Sequence, residues 1–377
     1  MFRLFALMAV IGSVYVASGT ALAVPLESVT VRADGEGALE VVCDGVMIDA
    51  VNGSISTPVA PCAAAPSVTI TGTSSPSTAV DDHHIDSPGD VHDHADSSWQ
   101  PLVDVTVSAD LVVDGPVTID GKMIVIGSSI TASSITISGT GGVNISDGAS
   151  LTSTGGPIVI NGANVGTVVS GGAVVDASGG DVEISGSFNL IQGDVRSASG
   201  RITVLGVDGG FTWLEGSIDS SDMSTKGVGG PVVVTAGAIF LESTSSITSS
   251  GLRGGGNIFV GGSYRGEGDV PTATSVLVKT GAVIDASAVT DGDGGDVVIW
   301  ADDLTSYDGE IVTNGGSDSG NGGDVEVSSK LSLQQAGSID TTAPNGADGA
   351  ILIDPLYYVV MPFPEPLLSG IDDLDHL

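Results

Sequence analysis

The residues most capable of chemistry are histidines and aspartates that lie close together within residues 71–100. Four of the five histidines lie there, interleaved with six aspartates. Imidazole and carboxylate groups can ligate Zn²⁺, Ni²⁺ or Cu²⁺. A fixed site also needs groups that hold each ligand in place, and a Ser-, Pro- and Asp-rich tract offers few. The tract is interpreted as a solvated linker, with transition-metal binding as the alternative. The candidate ligands are His83, His84, His92 and His94.

Aspartates form two further candidate groups. Asp291, Asp293 and Asp296 supply the oxygen ligands that Ca²⁺ prefers, although Asp in such numbers also favours turns. Asp302 and Asp303 are adjacent. Glycoside hydrolysis needs two carboxylates across one sugar, and adjacent residues of a strand point to opposite faces. We therefore expect Asp302 and Asp303 to be a poor catalytic pair.

Other catalytic arrangements are not found in the sequence. No histidine lies between Ala95 and Asp375, which removes a Ser/His/Asp set from the body of the chain. The glycine-rich segments at 254–256 and 292–295 lack a following Gly-Lys-Ser/Thr, so they are not phosphate loops. The large aromatic residues of the body are Trp213, Tyr264, Trp300 and Tyr307. No binding site is assigned to them, and Trp300 is expected to pack. We predict no catalytic residues and no cofactor.

Composition limits the class of partner. Lys and Arg total 10 and Asp and Glu total 46, giving a formal charge of −36. Nucleic acid needs clustered cations, and anionic membranes attract basic segments, so both are excluded as expected partners. Aromatic residues make up 4% of the chain, whereas glycine numbers 56. Few aromatics with many small β-branched residues indicate thin layers of short strands.

The first residues predict export. A positive start at Arg3 precedes an apolar run, and Ala21-Leu22-Ala23 has the small-x-small form of a signal-peptide cleavage site. Cleavage is expected after Ala23, and no later stretch is long and apolar enough to anchor the mature chain. In an oxidising compartment Cys43 and Cys62 are expected to pair, with two free thiols as the alternative.

The body of the chain is a repeat. Short apolar runs such as Ile158-Val159-Ile160 recur between Gly, Asn, Asp and Ser. Variants of a Gly-x-Ile/Val-Asp phrase alternate with a Gly-Gly-x-Val phrase, and three of the former begin at equal intervals, at Gly281, Gly309 and Gly337. A sequence repeat with a period of roughly 20–50 residues is typical of solenoid proteins. We predict an all-β, right-handed parallel β-helix with roughly 20–28 residues per coil and about ten to twelve coils. Gly and Asn are expected at positive-φ corners.

The segment 239–355 resembles the coil block of filamentous-haemagglutinin-like exoproteins. The similarity lies in four stretches whose order and spacing also agree, namely 254–268, 281–303, 321–328 and 340–355. The resemblance implies a bacterial surface or secreted adhesin, usually exported with an outer-membrane secretion partner. The Cys- and His-containing segments stand where the family has its secretion domain. The chain is short for the family, and it ends soon after Asp354-Pro355, which suggests a fragment or a degenerate relative.

These observations give one organisation and three functional hypotheses. The expected regions are a signal peptide at 1–23, a small N-terminal β/loop region at 24–70, a linker at 71–100, a β-helix at 101–355 and a Pro-rich, acidic tail at 356–377. The favoured hypothesis is a secreted or cell-surface, non-catalytic adhesin that binds cells, matrix or glycans. The alternatives are a β-helical polysaccharide lyase or hydrolase, and a structural surface-layer or scaffold fragment.

Overall fold

The computed structural model describes residues 29–33, 39–43, 46–49, 70–73, 104–107, 110–113 and 115–358. Within these ranges the chain is built from strands, with a single 3₁₀ turn at Tyr264–Gly266, so the prediction of an all-β chain is confirmed there. The described ranges contain no helix of the length and apolarity that a bilayer crossing requires. The proposed cleavage site at Ala23, the partner cysteine Cys62 and the residues 359–377 lie outside the described residues.

Strands from β5 onward fall into three rows, which recur in the chain in the order A, B, C. Three long strands serve both row A and row B: β16 (Val182–Ile191), β18 (Ile202–Leu214) and β29 (Val325–Gln335). The other row A strands are β7 (Pro116–Gly121), β10 (Ser134–Gly139), β13 (Ile158–Asn161), β20 (Val232–Thr235), β23 (Ile258–Val260), β26 (Val297–Ala301) and β31 (Ile351–Leu352).

Row B adds eight strands to the same sheet, and row C forms a second, ten-stranded sheet. Row B contains β5 (Asp104–Val107), β8 (Ile124–Ile126), β11 (Val143–Ile145), β14 (Thr167–Val169), β21 (Ala238–Leu241), β24 (Ser275–Val278), β27 (Leu304–Tyr307) and β32 (Pro355–Tyr358). Row C contains β6 (Leu111–Val112), β9 (Ile130–Ala132), β12 (Ser150–Ser153), β15 (Val174–Asp176), β17 (Asp194–Arg196), β19 (Ser217–Asp219), β22 (Ser246–Thr248), β25 (Val283–Asp285), β28 (Glu310–Val312) and β30 (Ser338–Asp340).

Each strand pairs in parallel with the strand of its own row in the next repeat. The interval between partners varies more than twofold. Val117 of β7 pairs with Ile135 in the shortest repeat, whereas Ile258 of β23 pairs with Val297 in the longest. The range of coil lengths expected from the sequence is therefore too narrow, because the longest repeat carries an extra loop between β23 and β24. We call the set of repeats from β5 to β32 the stack.

One face of every row points into a shared apolar core. In β8 the side chains of Ile124 and Ile126 are buried while Val125 faces outward, which is the period-two alternation of a strand with one buried face. The inward Val, Ile, Leu and Ala side chains of successive repeats form one continuous cluster. No single repeat could bury such a face alone, so stability belongs to the set of repeats.

Antiparallel strands lie at the N-terminal end of the stack. β1 (Val29–Ala33), β2 (Leu39–Cys43) and β3 (Val46–Asp49) pair antiparallel in sequence, and β1 also pairs in parallel with β7. β4 (Ile70–Thr73) pairs antiparallel with β5, so the start of the predicted linker lies in a strand. These strands cover edges that would otherwise present unpaired backbone groups.

A column of glycines runs along the stack, two positions before the first apolar residue of each row A strand from β13 onward. A Cβ atom on Gly295 would lie 2.1 Å from the carbonyl oxygen of Gly256, and one on Gly323 would lie 2.1 Å from that of Gly295. Only glycine allows backbones to approach this closely. We call this set the glycine column, and its members are Gly156, Gly180, Gly200, Gly230, Gly256, Gly295, Gly323 and Gly349.

The glycine column changes the expected role of the Gly-Gly-x-Val phrase. Its glycines allow close contact between repeats, and the column members have no positive φ. Positive φ occurs instead at other glycines and at Ala163, Ser178, Ser199, Asp208 and Arg265. Among the described residues no Asn adopts it, so the expectation of Asn at positive-φ corners is wrong there.

Buried hydroxyl groups hydrogen-bond to the glycine column. Ser153 Oγ donates to the Gly156 carbonyl oxygen at 2.7 Å, and Ser197 Oγ donates to that of Gly180 at 2.6 Å. A buried carbonyl needs such a donor. The remaining donors of the same kind are Ser220, Ser249, Thr313 and Thr341.

We expect the variant Gly295→Ala to lower the urea midpoint of unfolding. The added methyl group would overlap the Gly256 carbonyl oxygen, and forced overpacking of this kind costs about 1–3 kcal/mol. The matched control is Gly171→Ala, because a Cβ there meets no atom within 4 Å and φ is ordinary. Equal midpoints for the two variants would contradict the steric role of the glycine column.

Candidate functional site

The aspartates considered as candidate Ca²⁺ ligands each contact a neighbouring repeat. Asp293 Oδ1 accepts the Asn321 N–H at 2.6 Å, and Asp296 Oδ1 accepts the Asp324 N–H at 3.1 Å. Asp291 forms an ion pair with Arg253 at 3.0 Å. In the part of the chain that the structure describes, no three His, Cys, Asp or Glu side chains lie close enough to hold a metal ion. Ca²⁺ binding here stays a prediction.

A second set of aspartates ends row C strands. Asp285 Oδ1 accepts the N–H of Ser287, two positions later, at 2.9 Å. Such side chains imitate a backbone turn, which explains why the Gly-x-Ile/Val-Asp phrase recurs. At Asp340 the hydrogen bonds from the N–H and hydroxyl of Thr342 lower the pKa of the carboxyl. The same turn contact occurs at Asp176, Asp219 and Asp340.

The carboxylates considered for catalysis lie in a turn. Asp302 and Asp303 follow β26 rather than extending it, so the strand argument about opposite faces does not describe them. Asp302 Oδ2 accepts the Thr272 hydroxyl at 2.8 Å, and the side chain of Asp303 is exposed. Asp302 is thus engaged by a neighbouring loop, while Asp303 is open to solvent.

The extra loop of the longest repeat, residues 261–274, covers part of the outer face of row A. Trp300 of β26 is 9% exposed, and its indole packs against the backbone of Gly262 and Gly266. The expectation that Trp300 packs agrees with this position. The loop is tied down by hydrogen bonds from Thr235 to Pro271, from Ala273 to Gly261 and from Thr272 to Asp302.

Beneath the same loop lies a buried carboxylate. Glu326 of β29 is 1% exposed, and its Oε2 accepts the Arg265 N–H at 2.9 Å. Burial, the largest cause, raises the pKa of Glu326, while hydrogen bonds from Arg265 and Ser328 oppose the rise. Glu326 Oε1 and the Trp300 indole N–H have no hydrogen-bond partner among the described residues. The sequence does not single out Glu326, because its repeat has the same pattern of Gly, Asn, Asp and Ser between strands as the neighbouring repeats.

Row B presents an apolar stripe on its outer face. Leu190 pairs with Trp213, Trp213 with Phe240, and Phe240 with Leu277, so four outward side chains lie on successive repeats. Phe188 and Phe211 lie on the same face, one outward position nearer the strand start. Phe211 is 48% exposed. We call these six residues the outer stripe, and four of them are aromatic.

The aromatic rings of the outer stripe contact one another. Trp213 and Phe240 are stacked with centroids 5.1 Å apart and an interplanar angle of 26°. Phe188 and Phe211 meet edge to face at 5.5 Å and 72°. The stacked pair covers one ring face of each partner, and the Trp213 indole N–H is buried with no partner among the described residues.

Acidic residues border the outer stripe. Glu215 and Glu242 lie two positions after Trp213 and Phe240, and Asp208 lies before Phe211. Lys279 lies two positions after Leu277, and its Nζ bonds both carboxylate oxygens of Glu242 at 2.8–2.9 Å. Asp302, Asp303 and Asp308 flank Ser306, in the repeat that follows Leu277. Burial raises the pKa of Asp308. The stripe thus combines an apolar centre with an acidic rim.

The remaining residues singled out in the sequence lie apart from the outer stripe. Tyr307 is buried inside the stack and donates its hydroxyl to the Ser338 carbonyl, and burial raises its pKa. Tyr264 is exposed in the loop, with the Arg265 guanidinium 5.0 Å from its ring centre. Cys43 ends β2. The tract with His83, His84, His92 and His94 lies outside the described residues.

We expect the variant Glu326→Gln to gain stability over the parent as the pH rises. In the folded chain the carboxyl has a pKa above its usual 4.5. Its contribution to folding is therefore fully present below pH 4.5, and it is lost as the pH rises through the folded pKa. Gln keeps the oxygen that accepts from Arg265 and carries no charge. Urea midpoints from about pH 4 to 8 should show a variant-minus-parent difference that increases with pH.

The control for this pH series is Glu183→Gln. Glu183 is exposed on the outer face of β16, so its neutralisation removes no buried charge. A variant-minus-parent difference for Glu326→Gln that stays constant with pH, or that follows Glu183→Gln, would show that burial of the Glu326 carboxylate has no energetic effect.

No family model matches the chain, and no curated protein matches it. Among solved structures, the chain is similar to the crystal structure of the HMW1 secretion domain from Haemophilus influenzae. The similarity has 18% sequence identity and a TM-score of 0.46, and it covers 67% of this chain and 92% of that one. The functional argument therefore rests on the residues of this chain.

Proposed function

We propose that this protein is an exported, non-catalytic, adhesin-like protein of the bacterial surface or extracellular medium. The described stack is in this proposal a right-handed parallel β-helix that serves as a stalk. Its outer face and loops bind cells, matrix or glycans. Export takes place through the N-terminal signal with cleavage after Ala23.

The single observation that carries the proposal is the unbroken register of the three rows. Row C alone contributes ten paired strands, and at about 4.8 Å per strand these extend over roughly 45 Å. The inward side chains form one continuous apolar cluster, and each strand pairs with the strand of its row in the next repeat, so the outer face and the loops are what such a body offers to partners. An elongated body with a long accessible side suits a stalk.

Two features of the sequence support the adhesin hypothesis. The segment 239–355 resembles the coil block of filamentous-haemagglutinin-like exoproteins, and the segment 1–23 has the form of a signal peptide. The formal charge of −36 keeps such a surface soluble and disfavours nucleic acid and anionic lipid.

The environment of the acidic side chains favours a non-catalytic protein over a polysaccharide lyase or hydrolase. Asp302, considered for catalysis, and Asp293 and Asp296, considered as Ca²⁺ ligands, accept hydrogen bonds from neighbouring segments of the stack. Glu326, which has the raised pKa expected of a general acid, lies beneath a loop. Cleavage of a glycosidic bond would need two carboxylates open to the same sugar.

We expect the secreted chain to bind cells or matrix and to release no sugar fragments. The measurement is retention on fixed bacterial and animal cells and on extracellular matrix, alongside assays for reducing and unsaturated ends with a panel of polysaccharides. Heat-unfolded protein is the control for binding that does not depend on the fold. Release of either kind of end would make the enzyme hypothesis primary, and absence of any retention would favour a purely structural role.

A further inference from the structure

We propose that the outer stripe is a docking surface for a basic, partly apolar segment of another protein. This inference rests on the proposed function, since it identifies the class of partner that the stalk binds. Its structural basis is the juxtaposition of six large apolar side chains on the outside of row B with two acidic borders.

The outer stripe is continuous only in the folded chain. Leu190, Trp213, Phe240 and Leu277 are far apart in sequence but occupy the same outward position on four successive repeats. Later repeats place Ser306 and Gln334 at that position, so the apolar stretch has a defined end. Grouped outward apolar side chains with polar neighbours mark interaction sites, whereas single ones are ordinary.

The negative charge beside the outer stripe favours a positively charged partner. Along the two borders of the outer stripe lie the carboxylates of Asp208, Glu215 and Glu242 and one described cation, Lys279. The Lys279 ammonium pairs with Glu242, so Asp208 and Glu215 keep the rim negative, and Asp302, Asp303 and Asp308 add negative charge in the next repeat. Complementary potentials accelerate encounter and exclude like-charged partners. A segment that places Lys or Arg beside apolar side chains matches both the rim and the centre of the stripe.

The geometry of the rings favours a protein partner over a glycan. Sugar binding by aromatic residues uses the ring face, and one face of Trp213 and one of Phe240 are covered by their mutual stacking. The indole N–H of Trp213, which could bond a sugar hydroxyl, is buried. Rings with one covered face still offer apolar area against which the aliphatic and aromatic side chains of a protein can pack.

A second copy of the chain is a poor occupant. Two outer stripes facing each other would oppose two acidic rims, on chains that each carry a formal charge of −36. Like charges brought together across an interface are strongly disfavoured. The partner is therefore a different protein whose contacting segment is cationic.

The test measures binding of synthetic peptides to the secreted full chain by isothermal titration calorimetry. The probe is a short peptide of alternating Leu and Lys, and the comparison peptide alternates Ser and Lys with the same charge. Cellohexaose is the neutral glycan probe. We expect the Leu/Lys peptide to bind at least about tenfold more tightly than the Ser/Lys peptide, with affinity that falls as salt is added.

Three variants locate the site. Phe211→Ser removes the most exposed ring of the outer stripe, and Glu215→Gln removes one rim charge. Val289→Thr is the matched control, because Val289 is 45% exposed elsewhere on the stack. We expect Phe211→Ser to weaken Leu/Lys peptide binding about tenfold, as at a binding hot spot. Glu215→Gln should weaken it less and reduce its salt dependence, and Val289→Thr should leave it unchanged. Circular dichroism and urea midpoints verify that each variant folds.

The outcomes separate this inference from the proposed function. Equal binding of the two peptides, or an unchanged affinity in Phe211→Ser, would mean that only the overall negative charge attracts cations and would overturn the docking surface. Binding of cellohexaose that is lost in Phe211→Ser would overturn it in favour of a glycan. If the parent chain is retained on cells or matrix and Phe211→Ser is retained equally, the docking inference fails. The adhesin proposal still stands in that case.

Discussion

The close contact between glycine backbones of successive repeats is the constraint on which the rest of this structure depends. At the glycine column a single methyl group would collide with a carbonyl oxygen of the preceding repeat. From β13 onward the contact recurs two positions before the first apolar residue of each row A strand. Buried Ser and Thr hydroxyls donate to six of the eight carbonyl oxygens of the glycine column, so at those positions the contact is tight without the cost of an unpaired buried oxygen. The contact therefore holds neighbouring row A strands in one parallel register.

Much of the fold could be predicted, because apolar residues at every second position mark the buried face of a strand. Ile158-Val159-Ile160 alternates in the sequence as it does in the structure, with Ile158 and Ile160 inward. The length of each repeat could not be predicted in the same way. The core fixes the strands, while a loop between two strands can lengthen at small entropic cost, and the repeat between Ile258 and Val297 has done so.

The roles of individual glycines and aspartates were harder to predict. The glycines of the column allow close contact between repeats rather than a positive φ, whereas positive φ does occur at other glycines such as Gly179 and Gly281. A sequence shows that a side chain is missing without showing what lies in its place. Aspartates interpreted as turn residues do form turns, as at Asp285, and others bond the next repeat, as at Asp293. Both roles use the carboxylate as an acceptor of backbone N–H groups, so composition cannot separate them from metal ligands.

The candidate docking surface was hidden in the sequence because its members are distant from one another. Trp213 and Phe240 each lie between two inward residues of a row B strand. The available signal was therefore an aromatic residue at the outward position of a short strand. Registering the repeats turns that signal into neighbouring rings. Trp300 and Glu326, which the loop at 261–274 covers, are likewise distant in sequence from the loop residues that they contact. A stack leaves its inward side chains and its strand backbone no freedom, so specificity can change only in outward positions and in loops. In the described chain, the extra loop of the longest repeat and the outward aromatic group are therefore where recognition by this protein can evolve without loss of the fold.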